Sequence, residues 1–410
     1  MFYFLEAGLS SSLISVVIPV YNAALTLKRC LDSVVCQTHS AIEILCVDDG
    51  SSDDSVTLLE NYANRDERIK IFRSGNRGGG AARNIGIEAA SGEYCLFLDS
   101  DDHFIETMVE ELLSRIEETA SDIAICMSYD EHVDSGVVRL SDWTFVEKNV
   151  PTREPFAPDE MQCTIFNTFS NVPWNKMYRR SFLLENGLRF QEIMRTNDLF
   201  FTCHALIKAQ AICTVRKPLV YYCQGYTSNC QATNHVDPRG FLRAFAALSD
   251  AMHDEGVFSY YEVSFMNHLI DACAYNLLSQ DELVGFSNLY SAMGGVDASY
   301  GISSFISKSL ETDGLACDRW QYRDFRRMKS QSEVSFLFEQ QRIYLGQKIR
   351  AERENRRLMI QIGELESRCE ECEGQYENVS TELERLKTSR AFRLVTALAT
   401  PFRLVKRLFH

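Results

Sequence analysis

The chain has 410 residues, 45% of them hydrophobic and 24% charged, enough for a substantial core and two or three domains. Its net charge is −15, yet residues 385–410 hold seven Lys or Arg and no acid, so the remainder carries about −22. So acidic a body excludes nucleic acid as the expected partner, because phosphates attract basic surfaces.

The opening "MFYFLEAGLSSSLISVVIPV" is interrupted by Glu6 and has no basic leader, so it does not read as a signal peptide. Residues 14–126 then alternate regularly. "ISVVIPV" is a β-branched apolar run, "ALTLKRCLDSVV" has helical spacing, and "IEILCV" is a second apolar run. "DSVTLLENYA" predicts a helix, "IKIF" a strand, "GGGAARNIGIEAA" a helix and "YCLFLD" a strand, before "IETMVEELLSRIEE" and "DIAIC" complete the series. Short runs without a polar face, separated by helices, predict a mostly parallel sheet flanked by helices, an α/β fold. Ligands of such sheets bind beyond the carboxyl ends of the strands.

Four consecutive strand ends deliver polar groups to that edge. They are Pro19-Val20-Tyr21-Asn22, then Asp48-Asp49-Gly50-Ser51, then "SGNRGGGAARN", then Asp99-Ser100-Asp101-Asp102. The last sets three carboxylates within four positions. Clustered carboxylates raise one another's pKa unless a cation or donors hold them ionised. A helix cap would use only one of them, so the surplus points to a metal.

Fourteen cysteines are scattered, several within strand-like runs, as with Cys46, Cys95 and Cys126. They read as small buried hydrophobes of a reducing compartment rather than a disulfide framework. The CxxC at Cys369 and Cys372 has no second Cys or His pair nearby to complete a zinc site.

The series "SVVIPVYNAALTLKRCLDSVVCQTHSAIEILCVDDGSSDDS … NRGGGAARNIGIEAASGEYCLFLDSDD" resembles the family 2 glycosyltransferases of the GT-A fold, densely over 13–126 and more thinly to about 230. The resemblance implies a nucleotide-diphospho-sugar transferase fold and carries roles position by position. Pro19 and Tyr21 would pack against the nucleotide base. Asp49, with Asp48 beside it, would accept a hydrogen bond from uracil N3. Arg83 and Asn84 fall at the nucleotide pocket. Asp99, Asp101 and Asp102 cover the DxD-type element, which contacts ribose and holds Mg²⁺ or Mn²⁺ on the diphosphate; Asp101 and Asp102 are the expected metal ligands.

The family's general base follows a "W.K.Y" segment. Here "PWNKMYRRSFLLENGLRF" precedes "IMRTNDLFFTCHAL", so Asp198 takes the base position. Two departures stand out: Asn197 replaces the acid before the base, and Cys223 and Gln224 stand where many relatives carry Arg. His235 is a candidate substitute for that lost cation.

Residues 236–335 are helical and aromatic-rich with no chemical motif, so a helical domain is expected after a catalytic domain at 13–235. From Leu358 to Leu386 the apolar positions recur at spacings of 4 and 3, predicting a coiled coil within 336–386 and a homo-oligomer. Residues 387–410 interleave Arg and Lys with Phe, Leu and Val, a pattern that partitions into an anionic membrane interface. No run of about 18 apolar residues predicts a spanning helix. The expectation is therefore a cytoplasmic enzyme, peripheral on the inner face of the membrane. It would move sugar from a nucleotide donor, UDP-linked, to a glycan or lipid-linked acceptor in surface polysaccharide synthesis. The rival readings are a sugar-nucleotide pyrophosphorylase and a non-catalytic, transferase-like coiled-coil scaffold. The first is disfavoured because Val20-Tyr21-Asn22 replaces the glycine-rich loop such enzymes carry after strand one.

Overall fold

The computed structural model describes residues 12–225, 237–280 and 283–312, and the single positions 325, 336, 357 and 385. Strands β1 (Ile14–Val20), β2 (Ile42–Asp48), β3 (Ile69–Arg73) and β4 (Tyr94–Phe97) alternate with helices α1 (Leu27–Val35), α2 (Ser55–Ala63) and α3 (Gly79–Ala89). All of β1 except Pro19 is buried, as a strand covered on both faces requires. Helix α1 buries Leu27, Cys30, Leu31 and Val34, one stripe at helical spacing.

After β4 come β5 (His103–Phe104), α4 (Met108–Thr119), β6 (Ile123–His132), β7 (Val137–Leu140) and the short α5 (Ile165–Thr168). Then follow β8 (Lys176–Arg179), α6 (Arg180–Glu185), α7 (Asn197–Lys208), β9 (Ile212–Gln224), α8 (Gly240–Asp254), α9 (Phe258–Leu278), α10 (Leu283–Tyr300) and α11 (Ile302–Thr312).

The strands form one sheet in the order β3-β2-β1-β4-β8-β6-β9-β5, with β7 on β6. Strands β1 to β4 are mutually parallel. Beyond β4 the expectation of a mostly parallel sheet fails: β8 runs antiparallel to both β4 and β6, and β5 runs antiparallel to β9. The sheet is mixed. The cause is a late insertion, since the four-residue β8 enters between β4 and β6 from a segment some eighty residues downstream of β4. Order reverses across β1 and β4, the kind of switch point beyond whose carboxyl strand ends α/β sheets bind ligands.

Glu43 ties this half together from a nearly fully buried position. Its carboxylate accepts from Ser15 Oγ at 2.7 Å, from Ser91 N–H at 2.6 Å and from Ser91 Oγ at 2.8 Å, and pairs with Lys70 at 2.8 Å. On the other side of β4, Phe97, Tyr178, Phe190 and Phe201 pack with centroids between 3.8 and 5.8 Å apart.

The described residues up to Ala272 form one compact unit and those from Cys273 a second. In the first, α8 packs on α7, and Phe166 N–H donates to Ser264 Oγ of α9 at 2.9 Å. In the second, Asp297 caps α11 by accepting from Ser303 N–H at 2.6 Å and Ser303 Oγ at 2.9 Å. Among the described residues every cysteine is a free thiol; Cys36 and Cys163 are exposed and the rest are buried. No described helix is long and apolar enough to cross a membrane. Apart from the single position 385, the expected coiled coil at 358–386 lies outside the described residues, as do the basic tail at 387–410 and His235.

Candidate active site

The end of β2 organises the glycine-rich loop. Asp49 is buried and accepts the N–H groups of Arg77 and Gly78 at 2.8 and 2.7 Å. Asp48 turns inward on its own loop, accepting from Ser51 N–H at 3.1 Å and Gly50 N–H at 3.3 Å. It is a turn residue, and its neighbour is the carboxylate that reaches the loop. Tyr21, 51% exposed beside half-buried Pro19, leaves its ring open. Helix α3 then approaches the 191–197 segment so closely that a Cβ on Gly80 would sit 2.0 Å from Gln191 O. Asn84 clamps the same segment, donating to Phe190 O at 2.9 Å and accepting from Phe190 N–H at 2.8 Å. Both ends of its amide are thereby occupied by the Phe190 backbone, which ties α3 to that segment.

Arg83 is the hub. Only 8% of its side chain is exposed, it pairs with Asp99, and it donates to Asn197 Oδ1 at 2.7 Å. Its guanidinium lies 5.2 Å from the Phe190 ring centroid. Asn197 thus keeps an acceptor for Arg83 where an acid was expected, and next to it Asp198 opens α7. Thr196, just before, holds φ +56°, a left-handed conformation that costs a β-branched residue on the order of 1 kcal/mol and is typical of functional sites. Burial pushes the Asp198 carboxyl up, Arg83 pulls it back and Asp99 pushes it up again. A partly shielded carboxylate of this kind is a better base than a free one.

The Asp99 carbonyl accepts the Asp102 N–H at 3.0 Å, a tight turn that gathers the three carboxylates. Burial and the neighbouring Asp99 push Asp101 up to about 7. Asp102 is raised as well, by burial and then by Asp101 and Asp99. Asp102 is 1% exposed; its Oδ1 accepts the Cys223 N–H at 2.8 Å, while its Oδ2 is buried with no hydrogen-bond partner among the described residues. Mutual repulsion and an orphaned oxygen fit a divalent cation, which takes one or two protein carboxylates and completes its shell with phosphate oxygens.

A neighbouring group is satisfied differently. His103, Glu131 and Cys223 place ligand atoms within 4.8 Å of one another. Arg29 of α1 already donates to both Glu131 oxygens at 3.2 and 3.1 Å and to Cys223 Sγ at 2.8 Å. Burial and Arg29 hold the His103 imidazole down at about 4, hence neutral. A fixed guanidinium therefore stands where Cys223 replaces the expected Arg. Sequence reasoning missed Arg29, because 194 residues separate it from Cys223 and nothing local marks the pair. It also passed over Lys176, buried in the "W.K.Y" segment, whose ammonium donates to Ser170 O, Val172 O and Asn175 Oδ1 at 2.7–2.8 Å. Burial brings Lys176 down to about 7, while Asp198 is among the groups that push it back up.

With this geometry in place, residues 15–187 match the family described as Glycosyl transferase family 2. The chain is 35% identical over 212 residues to the putative glycosyltransferase EpsH of Bacillus subtilis, covering 51% of this chain and 60% of that protein. It is 33% identical over 205 residues to the cholesterol galactosyltransferase of Borreliella burgdorferi, covering 48% of this chain and 56% of that one. The crystal structure of S. aureus TarS 1-349 aligns with 78% of this chain and 93% of its own at 19% identity and a TM-score of 0.47. The chain spans less than two thirds of the length of the curated relatives it matches. The mixed sheet, its strand-end carboxylates and the match over residues 15–187 make this stretch similar to a family 2 glycosyltransferase domain.

Proposed function

We propose that the protein is an inverting glycosyltransferase that moves a sugar from a UDP-linked donor to a glycan or lipid-linked acceptor of the cell surface. The observation that carries this reading is the Arg83 hub, which holds Asp99 and the Asn197–Asp198 helix start beside the carboxylate turn. The names of the relatives support the class, since both are glycosyltransferases and one acts on cholesterol.

Asp49 accepts uracil N3–H with the lone pairs left by Arg77 and Gly78, and Pro19 and Tyr21 lie along the base. Asp48 and Asn84 hold the loops that shape this pocket. Asp99 contacts the ribose while Arg83 fixes its carboxylate. Asp198 takes the proton of the acceptor hydroxyl as its oxygen bonds to the sugar C1 and the C1–oxygen bond to the diphosphate breaks. Asp101 and Asp102 would hold Mg²⁺ or Mn²⁺, which when bound offsets the charge of the departing diphosphate as a Lewis acid. Residues 358–386 would join copies of the chain, and residues 387–410 would bring the enzyme to an anionic membrane where a lipid-linked acceptor is presented.

The test is hydrolysis of a panel of nucleotide sugars with Mn²⁺ and with EDTA. Metal-dependent release of UDP from one donor is expected. No hydrolysis and no nucleotide binding would leave the scaffold reading.

A further inference from the structure

A second group of side chains gathers on the β6–β9 pair. Its register sets Asp130 opposite Tyr222. Trp174 stacks on Tyr222, with centroids 5.5 Å apart and planes 13° apart. Trp143 stands edge-on to both rings, 6.3 Å from Trp174 and 5.6 Å from Tyr222. Trp174 is buried, but 41% of Trp143 is exposed. The Trp143 indole N–H donates to both carboxylate oxygens of Asp130 at 3.2 Å, which fixes the ring without covering it. Burial lifts Asp130 to about 6, so at neutral pH it is mostly ionised and keeps lone pairs beyond those the indole uses.

A rigid, exposed aromatic face with a carboxylate at its rim matches one ligand chemistry closely. A pyranose has an apolar C–H face and hydroxyls around its edge, so it stacks on the ring and donates to the carboxylate. Along the chain the group is next to residues of the proposed reaction centre. Cys223, next to Tyr222, donates its N–H to Asp102 at 2.8 Å, and Trp174 leads directly to Asn175 and Lys176, whose ammonium feels Asp198.

We propose that Trp143 and Asp130 form a subsite for a pyranose unit of the acceptor, with the sugar stacked on the indole and a hydroxyl donated to the carboxylate. This assignment to the acceptor rests on the glycosyltransferase reading above.

The test uses the full chain with methyl glycosides of glucose, galactose and N-acetylglucosamine, followed by ligand-detected NMR and tryptophan fluorescence. One of these should bind, and Trp143→Ala should weaken it by roughly tenfold or more, with Trp143→Phe restoring part of the affinity. Asp130→Asn should weaken binding less, since the amide keeps one acceptor. Calorimetry with UDP and Mn²⁺ should be unchanged in all three variants, which shows that the fold and donor site are intact. Glycoside binding that Trp143→Ala leaves unchanged, or none by the wild type while UDP binds, overturns the subsite and leaves the transferase reading standing. Glycoside binding without any nucleotide binding would keep the pyranose site and overturn its assignment to an acceptor.

Discussion

Asp198 and the Asp99–Asp102 turn divide the chemistry between them. Asp198→Asn preserves the helix start and the Arg83–Asn197 contact, so UDP affinity should stay within about twofold while turnover falls by roughly two to four orders of magnitude. Calorimetry beside transfer assays checks this, and a collapse of UDP affinity would make Asp198 structural. The raised carboxyls of Asp101 and Asp102 make a second prediction. A carboxyl whose pKa rises on folding contributes stability below its unfolded value, near 4, and loses it as pH rises through the folded value, about 7 for Asp101. Metal must displace those protons, so the gain in melting temperature from Mn²⁺ should be larger at about pH 8 than at about pH 6. Asp101→Ala and Asp102→Ala should each shrink the gain, and a pH-independent gain in the wild type would argue against carboxylate ligation.

At the scale of elements, two contacts set how the strand ends meet. Glu43 links β1, β2 and the turn before β4, and its hydrogen bonds from Lys70, Ser15 and Ser91 outweigh burial and hold it down at about 2. Its contribution is therefore present above about pH 4.5 and lost as pH falls through about 2. Lys70 is half exposed, so Glu43→Gln should cost only about 2 kcal/mol at neutral pH. Denaturant melts should also show a shallower acid limb; an unchanged limb would remove Glu43 from the account. Gly80 governs the approach of α3 to the 191–197 segment. A methyl group there meets backbone oxygen, so Gly80→Ala should destabilise by roughly 1–3 kcal/mol and displace Asp198. Turnover should then fall by a larger factor than UDP affinity, and equal losses in both would mean that the donor pocket moved instead.

For the whole molecule, the charge division is the lever. The acidic remainder and the basic segment 387–410 have opposite tendencies at an anionic surface. Six of those residues are Lys or Arg, each contributing on the order of 1 kcal/mol near such a surface and less as salt rises. Phe392, Phe402 and Phe409 add a salt-insensitive part. Co-sedimentation with phosphatidylserine vesicles should weaken at high salt without vanishing. Deleting 387–410 should abolish binding while sparing donor hydrolysis. Equal sedimentation of the two proteins would end the membrane assignment and leave the catalytic one untouched.

The sequence by itself determined the four parallel strands, the helices between them and the edge at which Asp49, Asp99 and Asp101 arrive. These are local matters: apolar periodicity encodes burial, and successive parallel strands return their carboxyl ends to one side. The "ARN" and "TND" segments were visible as motifs, but not that Arg83 would join them through Asn197 and Asp99. Nor did any local signal place β8 antiparallel between β4 and β6, since four residues of "KMYR" fit either direction. Arg29 beside Cys223 and the open face of Trp143 likewise depend on partners brought from afar by the mixed sheet. Local sequence sets which residues are buried and in which element, whereas pairings across the fold are decided by packing, and only the tertiary structure turned the strand-end carboxylates into a site with a guanidinium at its centre.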